Sequence, residues 1–125
     1  MYSIKIIFKV LIRLKPDFSA RVHSFLNTGI DSKFGIPEDE IANVLAILSS
    51  NEQICITGIH IHVGSTIKDI NIYDDIYQYA VKFLSTRRNI LKDVTMINIG
   101  GGLSIDYYHK NEDPCPGDFA NLFSG

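Results

Sequence analysis

Two short segments of the 125-residue sequence combine residue types that could bind a phosphorylated ligand. The first, His60-Ile61-His62-Val63-Gly64-Ser65, places two imidazoles and a hydroxyl beside a glycine turn. The second, Asn98–Leu103, contains Gly100, Gly101 and Gly102 in a row. Glycines let the backbone approach a ligand closely and point several N–H groups at it. One hydroxyl and several amides form a donor set that suits a phosphate dianion.

The alternation of residue types around the two histidines indicates a strand that ends at a site. In a strand, His60 and His62 point to one side, whereas Ile59, Ile61 and Val63 point to the other, toward helices. Parallel strands are usually apolar on both faces, so a polar face at a strand end favours a functional role.

Each of these features also has an ordinary structural explanation. A single histidine is more often a hydrogen-bonded core residue than a functional one, and three glycines alone are typical of a flexible turn. A His-x-His pair can also bind zinc, but a zinc site needs further ligands, and the sequence has only two other histidines, His23 and His109. We therefore expect no metal site.

Apolar patterns predict the elements that position the two segments. Strands are predicted from the N-terminus to Leu14, at Ile54–Val63 and at Val94–Ile99, and helices from Pro37 to Ser50, at Ile70–Thr86 and beyond Asp118. The first strand rests on apolar even positions, namely Ile4, Ile6, Phe8, Val10, Ile12 and Leu14. The alternative interpretation of this segment is an organelle-targeting helix, because Lys5, Lys9 and Arg13 would line one face of such a helix.

This alternation of strands and helices predicts the α/β class with parallel strands and crossover helices. This order of elements fits either part of a (β/α)8 barrel or a doubly wound open sheet. In both folds the ligand-binding and catalytic sites lie at the carboxyl ends of the strands. The two segments singled out above lie at such ends.

Composition excludes several classes of function. The formal charge of −2 provides no basic surface for nucleic acid, and the charges inside the N-terminal apolar run leave no membrane segment. Two cysteines, Cys55 and Cys115, are too few for a disulfide framework, which favours a reducing intracellular compartment. We expect a soluble protein with a small-molecule ligand.

The sequence also resembles a known family. Four segments, Arg13–Asp17, Ser32–Gly35, Gly58–Thr66 and Asn98–Leu103, are similar, in order, to successive motifs of the pyridoxal-phosphate-dependent decarboxylases that act on diaminopimelate, ornithine or arginine. The diaminopimelate branch is the most similar. The resemblance runs from about Val10 to the end, and Ile105-Asp106-Tyr107-Tyr108-His109 is similar to the plant-type version.

The resemblance implies a fold and a site. Residues 1–125 would form about three consecutive units of the family's pyridoxal-phosphate-binding (β/α)8 TIM barrel, without the β-domain that follows it. His62 would stack on the pyridine ring of the pyridoxal 5′-phosphate cofactor, and Ser65, Gly100, Gly101 and Gly102 would bind its phosphate. The family implies a homodimer, in the cytoplasm or, for a plant-type parent, in a plastid.

The expected reaction is the decarboxylation of meso-diaminopimelate to lysine and carbon dioxide. The family's lysine that binds the cofactor covalently lies upstream of the matched region, so the chain by itself is expected to be inactive. Leu14, Lys15 and Ser104 also depart from the usual pattern. The alternatives are a fragment of an ornithine or arginine decarboxylase, a non-catalytic decarboxylase-like binding protein, and a metal-dependent barrel hydrolase using His60 and His62.

Overall fold

The structure, a computed structural model, describes residues 3–16, 34–62, 64, 67–108, 110 and 113–124. It contains four strands and three helices along these residues. In chain order they are β1 (Phe8–Lys15), β2 (Ile36–Pro37), α1 (Ile41–Ser49), β3 (Ile54–Ile61), α2 (Asn71–Ser85), β4 (Met96–Asn98) and α3 (Pro116–Leu122). No helix among the described residues has the length and apolar content needed to cross a bilayer.

The four strands form one parallel sheet in the order β2-β1-β3-β4. Its helix-facing side is the core, where Leu14, Ile59 and Ile61 pack with residues of α1 and α2 in a single buried cluster. No helix of the described residues covers the opposite side, hereafter the open face, where Leu11 and Met96 are 39% and 52% exposed. A parallel sheet covered by helices on one face confirms the α/β prediction and is the architecture of an arc of a (β/α)8 barrel.

A bulge in β3 decides which residues face the core. Val10 pairs with Ile56 but the next residue, Leu11, pairs with Gly58, so Thr57 is an extra residue in β3. The insertion shifts the alternation by one position. Even-numbered Ile56 and odd-numbered Ile59 and Ile61 therefore all lie on the buried face.

Gly58 allows β1 and β4 to approach β3 just after this bulge. A Cβ atom at Gly58 would lie 2.9 Å from Cγ of Leu11 and 3.0 Å from the carbonyl oxygen of Met96. Only glycine leaves room for both neighbours. The side chain of Leu11 can therefore lie directly over Gly58 in β3.

The N-terminal prediction is partly wrong. The strand begins only at Phe8, and Ile4, Ile6 and Phe8 are more than half exposed. The predicted buried face is confirmed only at Ile12 and Leu14. The reason is the extent of β3, whose pairing with β1 starts at Phe8, so earlier residues lack a neighbouring strand against which to be buried.

The first helix starts later than predicted, at Ile41 instead of Pro37. Ile36 and Pro37 instead pair with the end of β1, and an amide-to-carbonyl bond of 3.0 Å from Glu40 to Pro37 closes a turn before the helix. Proline is tolerated there because β2 is an edge strand and its missing N–H breaks no ladder. The sequence pattern did not predict this two-residue strand.

Helices α2 and α3 lie close to their predicted positions. Helix α2 buries Tyr73, Ile76 and Ala80 as predicted, whereas Tyr77 is 40% exposed and does not belong to the buried side. Helix α3 begins with Pro116, and its first turn is capped by a bond of 3.0 Å from the Cys115 amide to Oδ2 of Asp118. This bond lowers the pKa of the Asp118 carboxyl.

Candidate functional site at the carboxyl ends of β3 and β4

The two segments singled out in the sequence meet at one edge of the sheet. His62 directly follows β3, and Gly100 lies two residues after β4. The contact between them is close, because a Cβ atom at Gly100 would lie 2.8 Å from Nδ1 of His62 and 3.1 Å from the carbonyl oxygen of Ile61. Gly100 has φ +74°, a conformation that side chains other than glycine rarely adopt. The prediction that the histidine and the glycine segment converge is confirmed.

The loop formed by Gly100, Gly101 and Gly102, hereafter the glycine loop, is held by hydrogen bonds at every residue. Asn98 Oδ1 accepts a bond of 2.9 Å from the Gly100 amide. The Tyr73 hydroxyl donates to the Gly101 carbonyl at 3.1 Å. The Ile67 amide donates to the Gly102 carbonyl at 2.7 Å. The loop is therefore a fixed element of the fold and not a flexible turn.

These bonds determine which amides of the glycine loop remain available. The Gly100 N–H is already engaged by Asn98. In a trans peptide the N–H points opposite to the C=O, so tying back the carbonyls of Gly101 and Gly102 turns the N–H groups of Gly102 and Leu103 the other way. Neither N–H donates a hydrogen bond within the described part of the chain. Each of these two amides therefore points away from the group that holds the carbonyl of its own peptide: the Gly102 N–H points away from Tyr73, and the Leu103 N–H points away from Ile67.

A short pairing beyond the strands keeps the two tips together. Ile67 and Leu103 form an isolated parallel bridge, and the Ser104 amide donates to the Ile67 carbonyl at 3.0 Å. Ile67 is 1% exposed, so its side chain anchors this bridge in the core. The bridge thereby ties the segment that follows His62 to the segment that follows the glycine loop.

A polar row crosses the open face of the sheet next to these tips. Arg13 pairs with His60, and His60 pairs with Asn98, so the three residues occupy adjacent strands at one level. The His60 and His62 rings are 6.5 Å apart between centroids, which fits two side chains on the same face. Ile59 and Ile61 on the opposite face are fully buried, so the predicted orientation of the strand is confirmed.

Burial and charge both act on His60. Burial lowers the pKa of this imidazole below its ordinary value, and electrostatic interactions with Arg13 and His62 lower it further. The Arg13 guanidinium lies 5.2 Å from the centroid of the Phe34 ring, a cation–π contact that holds it beside the row. The neutral form of His60 is therefore favoured near neutral pH.

The described residues include most, but not all, of the predicted site. His62, Gly100, Gly101 and Gly102 are brought together, while Ser65 lies outside the described residues, as do Val63 of the predicted strand and the two other histidines, His23 and His109. Sequence reasoning missed the part played by Tyr73 and Asn98 in fixing the glycine loop. A hydroxyl-bearing aromatic on the predicted buried side of α2 was the available signal, since a buried Tyr hydroxyl usually finds a partner.

Other polar groupings lie away from the strand tips. A surface cavity of about 370 Å³ lies against α2 and is lined by Glu38, Tyr79, Lys82, Phe83, Thr86 and Arg87, none of which belongs to the site. Within the described ranges, no group of three or more His, Cys, Asp and Glu side chains is arranged to hold a metal ion.

Comparison with known proteins shows that the chain matches one family and members of that family. The family model described as "Pyridoxal-dependent decarboxylase, pyridoxal binding domain" matches residues 4–123, so the match begins earlier than the sequence motifs indicated. The diaminopimelate decarboxylase of Aquifex aeolicus is 34% identical over 91% of this chain and 27% of its own length. A probable chloroplastic diaminopimelate decarboxylase of Oryza sativa is 37% identical over 90% of this chain and 24% of its own length.

A solved structure shares the fold. The crystal structure of diaminopimelate decarboxylase from M. jannaschii superposes with a TM-score of 0.81 at 24% identity, covering 94% of this chain and 28% of that one. The chain thus spans about a quarter of the length of the relatives it matches.

Proposed function

The chain belongs to the pyridoxal-dependent decarboxylases, and we propose that it forms part of the cofactor-binding barrel of a diaminopimelate decarboxylase. The observation that carries the proposal is the convergence of His62 and the glycine loop at the carboxyl edge of the parallel sheet. This is the position at which α/β barrels bind their ligands. The names of the relatives from Aquifex aeolicus and Oryza sativa support diaminopimelate as the substrate.

The donor set of the site fits the phosphate of pyridoxal 5′-phosphate. The two available amides, those of Gly102 and Leu103, are neutral N–H donors, which suit a dianion held by the backbone. A Cβ atom at Gly101 would meet no atom within 4 Å, so the loop leaves open space beside the central glycine. We assign Gly101 and Gly102 to phosphate binding, together with Ser65 as the hydroxyl donor. Gly100 serves the same site by leaving room for His62.

His62 is assigned to the pyridine ring of the cofactor. It is half-buried just after β3, and its Nδ1 lies against the Gly100 backbone. The imidazole is therefore confined at the carboxyl edge of the sheet. A confined imidazole face can orient an aromatic ring by stacking. His62 therefore acts in binding and orientation, and no proton transfer is assigned to it.

The cofactor, when bound, supplies an electron sink for the cleavage of the bond between Cα and the carboxylate. The residues of this chain contribute binding and orientation. The amides hold the phosphate, His62 orients the ring, and the row from Arg13 to Asn98 provides a polar wall on the open face. The lysine that links the cofactor covalently has no counterpart among the motifs of this chain, and we propose that another part of the protein supplies it.

Decarboxylation assays on the intact protein test this proposal. With pyridoxal 5′-phosphate and meso-diaminopimelate we expect release of carbon dioxide and formation of lysine, and much weaker turnover of ornithine or arginine. Preferred turnover of ornithine or arginine would reassign the substrate. Binding of the cofactor without any turnover would favour a non-catalytic, decarboxylase-like protein.

A His62→Ala substitution tests the assigned orientation. We expect lower affinity for the cofactor and an altered absorbance spectrum, because the ring loses its stacking partner. Tyr77→Phe is the control, since Tyr77 is 40% exposed on α2 and belongs neither to the strand tips nor to the polar row. An unchanged cofactor spectrum and affinity in the His62 variant would contradict the assignment.

The assembly of the intact protein is part of the same proposal. We propose a homodimer in the cytoplasm or in a plastid, consistent with the chloroplastic name of the rice relative. Sedimentation at micromolar concentration tests the dimer, and a monomer under conditions that support turnover would exclude it.

A further inference from the structure

We propose that Tyr73 is a positioning residue that determines the selectivity of the glycine loop for a phosphorylated cofactor. Its hydroxyl donates a 3.1 Å hydrogen bond to the carbonyl of Gly101, and the inference deepens the phosphate assignment above and rests on it. We assign Tyr73 no direct contact with the ligand. It acts through the orientation of one peptide plane.

The geometry of the peptide links the Tyr73 hydroxyl to the amide of the next residue. The Gly101 carbonyl and the Gly102 N–H belong to the same planar unit and point in opposite directions. When the carbonyl is held toward α2 by Tyr73, the Gly102 N–H must point away from α2, on the side where the loop is open. Glycine on both sides of this peptide makes rotation easy, so an external restraint is needed to keep a single orientation.

Tyr73 is rigid enough to supply this restraint. Its side chain is 1% exposed, and its ring packs edge-on against Phe119 of α3 at 4.9 Å between centroids. The residue therefore connects the core, through α2 and α3, to the backbone of the loop. Burial raises the pKa of the phenol, so the hydroxyl remains a donor throughout the pH range of an enzyme assay.

The other restraints do not replace Tyr73. Asn98 fixes the peptide before Gly100, and Ile67 fixes the peptide after Gly102. The peptide between Gly101 and Gly102 is held, among the described residues, by the Tyr73 hydroxyl alone. Removal of this hydroxyl should leave the loop in place but allow its central amide to turn.

The test compares two ligands that differ only in the phosphate. Equilibrium titrations with pyridoxal 5′-phosphate and with pyridoxal are carried out on the intact protein and on its Tyr73→Phe variant. We expect the variant to bind pyridoxal 5′-phosphate about three- to tenfold more weakly, the range expected for one neutral hydrogen bond, with unchanged affinity for pyridoxal. Both affinities are measured on the same preparation of each protein. A lower fraction of folded protein therefore affects both titrations equally and does not change the ratio of the two affinities.

Tyr77→Phe is the matched control. Tyr77 lies one turn further along α2, loses the same hydroxyl, and keeps its ring contact with Phe123 at 5.8 Å between centroids. It should change neither affinity. An equal loss for both ligands in the Tyr73 variant, or no loss for either, would overturn the inference while leaving the proposed function intact. A wild-type protein that does not distinguish the two ligands would instead refute the phosphate assignment itself.

Discussion

Nδ1 of His62 lies so close to the backbone of Gly100 that a Cβ atom added there would approach it to 2.8 Å. The imidazole and the glycine loop therefore form one unit, although 37 residues separate them between positions 62 and 100 of the chain. The space for the ring exists because position 100 has no side chain.

This contact predicts a large effect of Gly100→Ala. The methyl group would contact both His62 and the Ile61 carbonyl, and alanine at φ +74° adds roughly 1–2 kcal/mol of backbone strain. We expect a free energy of unfolding lowered by about 2 kcal/mol or more, together with weaker cofactor binding. Urea denaturation measures the first effect. Gly101→Ala is the control, because its added Cβ meets open space and its stability should stay within about 0.5 kcal/mol of wild type.

A second prediction concerns Gly58, in the strand that carries the histidines. A Cβ atom there would lie 2.9 Å from Leu11 Cγ and 3.0 Å from the Met96 carbonyl. We expect Gly58→Ala to lower the free energy of unfolding by roughly 1–3 kcal/mol through overpacking. The double variant with Leu11→Ala should recover only part of this loss, because the Met96 backbone contact remains. Strictly additive effects in this double-mutant cycle would contradict the proposed clash.

The lowered pKa of His60 predicts that the stability of the protein depends on pH. Its pKa in the folded protein is lowered, first by burial and then by Arg13 and His62, whereas the unfolded chain takes up a proton near the ordinary value of 6.5. Below about pH 6.5 the unfolded chain therefore binds more protons than the folded one, so this residue makes the protein less stable as the pH falls. Above that pH its contribution is constant.

Urea midpoints measured between about pH 5 and 7.5 check this prediction, because they span the ordinary histidine pKa. His60→Gln should reduce the loss of stability toward low pH. Identical slopes for wild type and variant would show that His60 does not cause the dependence.

Asn98 gives a prediction for the glycine loop. Asn98→Ala removes the acceptor of the Gly100 amide and should lower the free energy of unfolding by roughly 0.5–1.5 kcal/mol. Asn98→Asp keeps an oxygen acceptor at the same position and should retain most of the stability. Faster hydrogen exchange of the Gly100 amide in the alanine variant alone would locate the effect in the loop.

The parts of the fold that depend on local patterns were predictable from the sequence. Helix α2 was predicted within one residue of Asn71 and Ser85, because its apolar positions recur at helical spacing. The orientation of His60 and His62 followed from strand alternation. The extent of the first strand did not, because burial of Phe8 and earlier residues depends on where β3 begins to pair and not on their own alternation.

The candidate site was predictable at the level of its segments but not of its hydrogen bonds. The glycine loop and His62 could be identified as neighbours because parallel strands bring their carboxyl ends to one edge. The engagement of the Gly100 amide by Asn98 and of the Gly101 carbonyl by Tyr73 depends on side-chain directions that sequence spacing leaves undefined. The two-residue strand β2 was missed for a similar reason, since only tertiary pairing with Leu14 and Lys15 makes it a strand.

The extra residue at Thr57 governs more than the local pairing of two strands. Upstream of it even-numbered residues of β3 face the helices, and downstream odd-numbered residues do so. Deleting this one residue would rotate the distal half of the strand by half a turn, carrying both imidazoles into the hydrophobic layer and two isoleucines onto the open face of the sheet. The character of the edge thus depends on one extra residue in β3, whose carbonyl is taken up by the Thr95 amide at 3.0 Å and which lies three residues before the first of the two histidines.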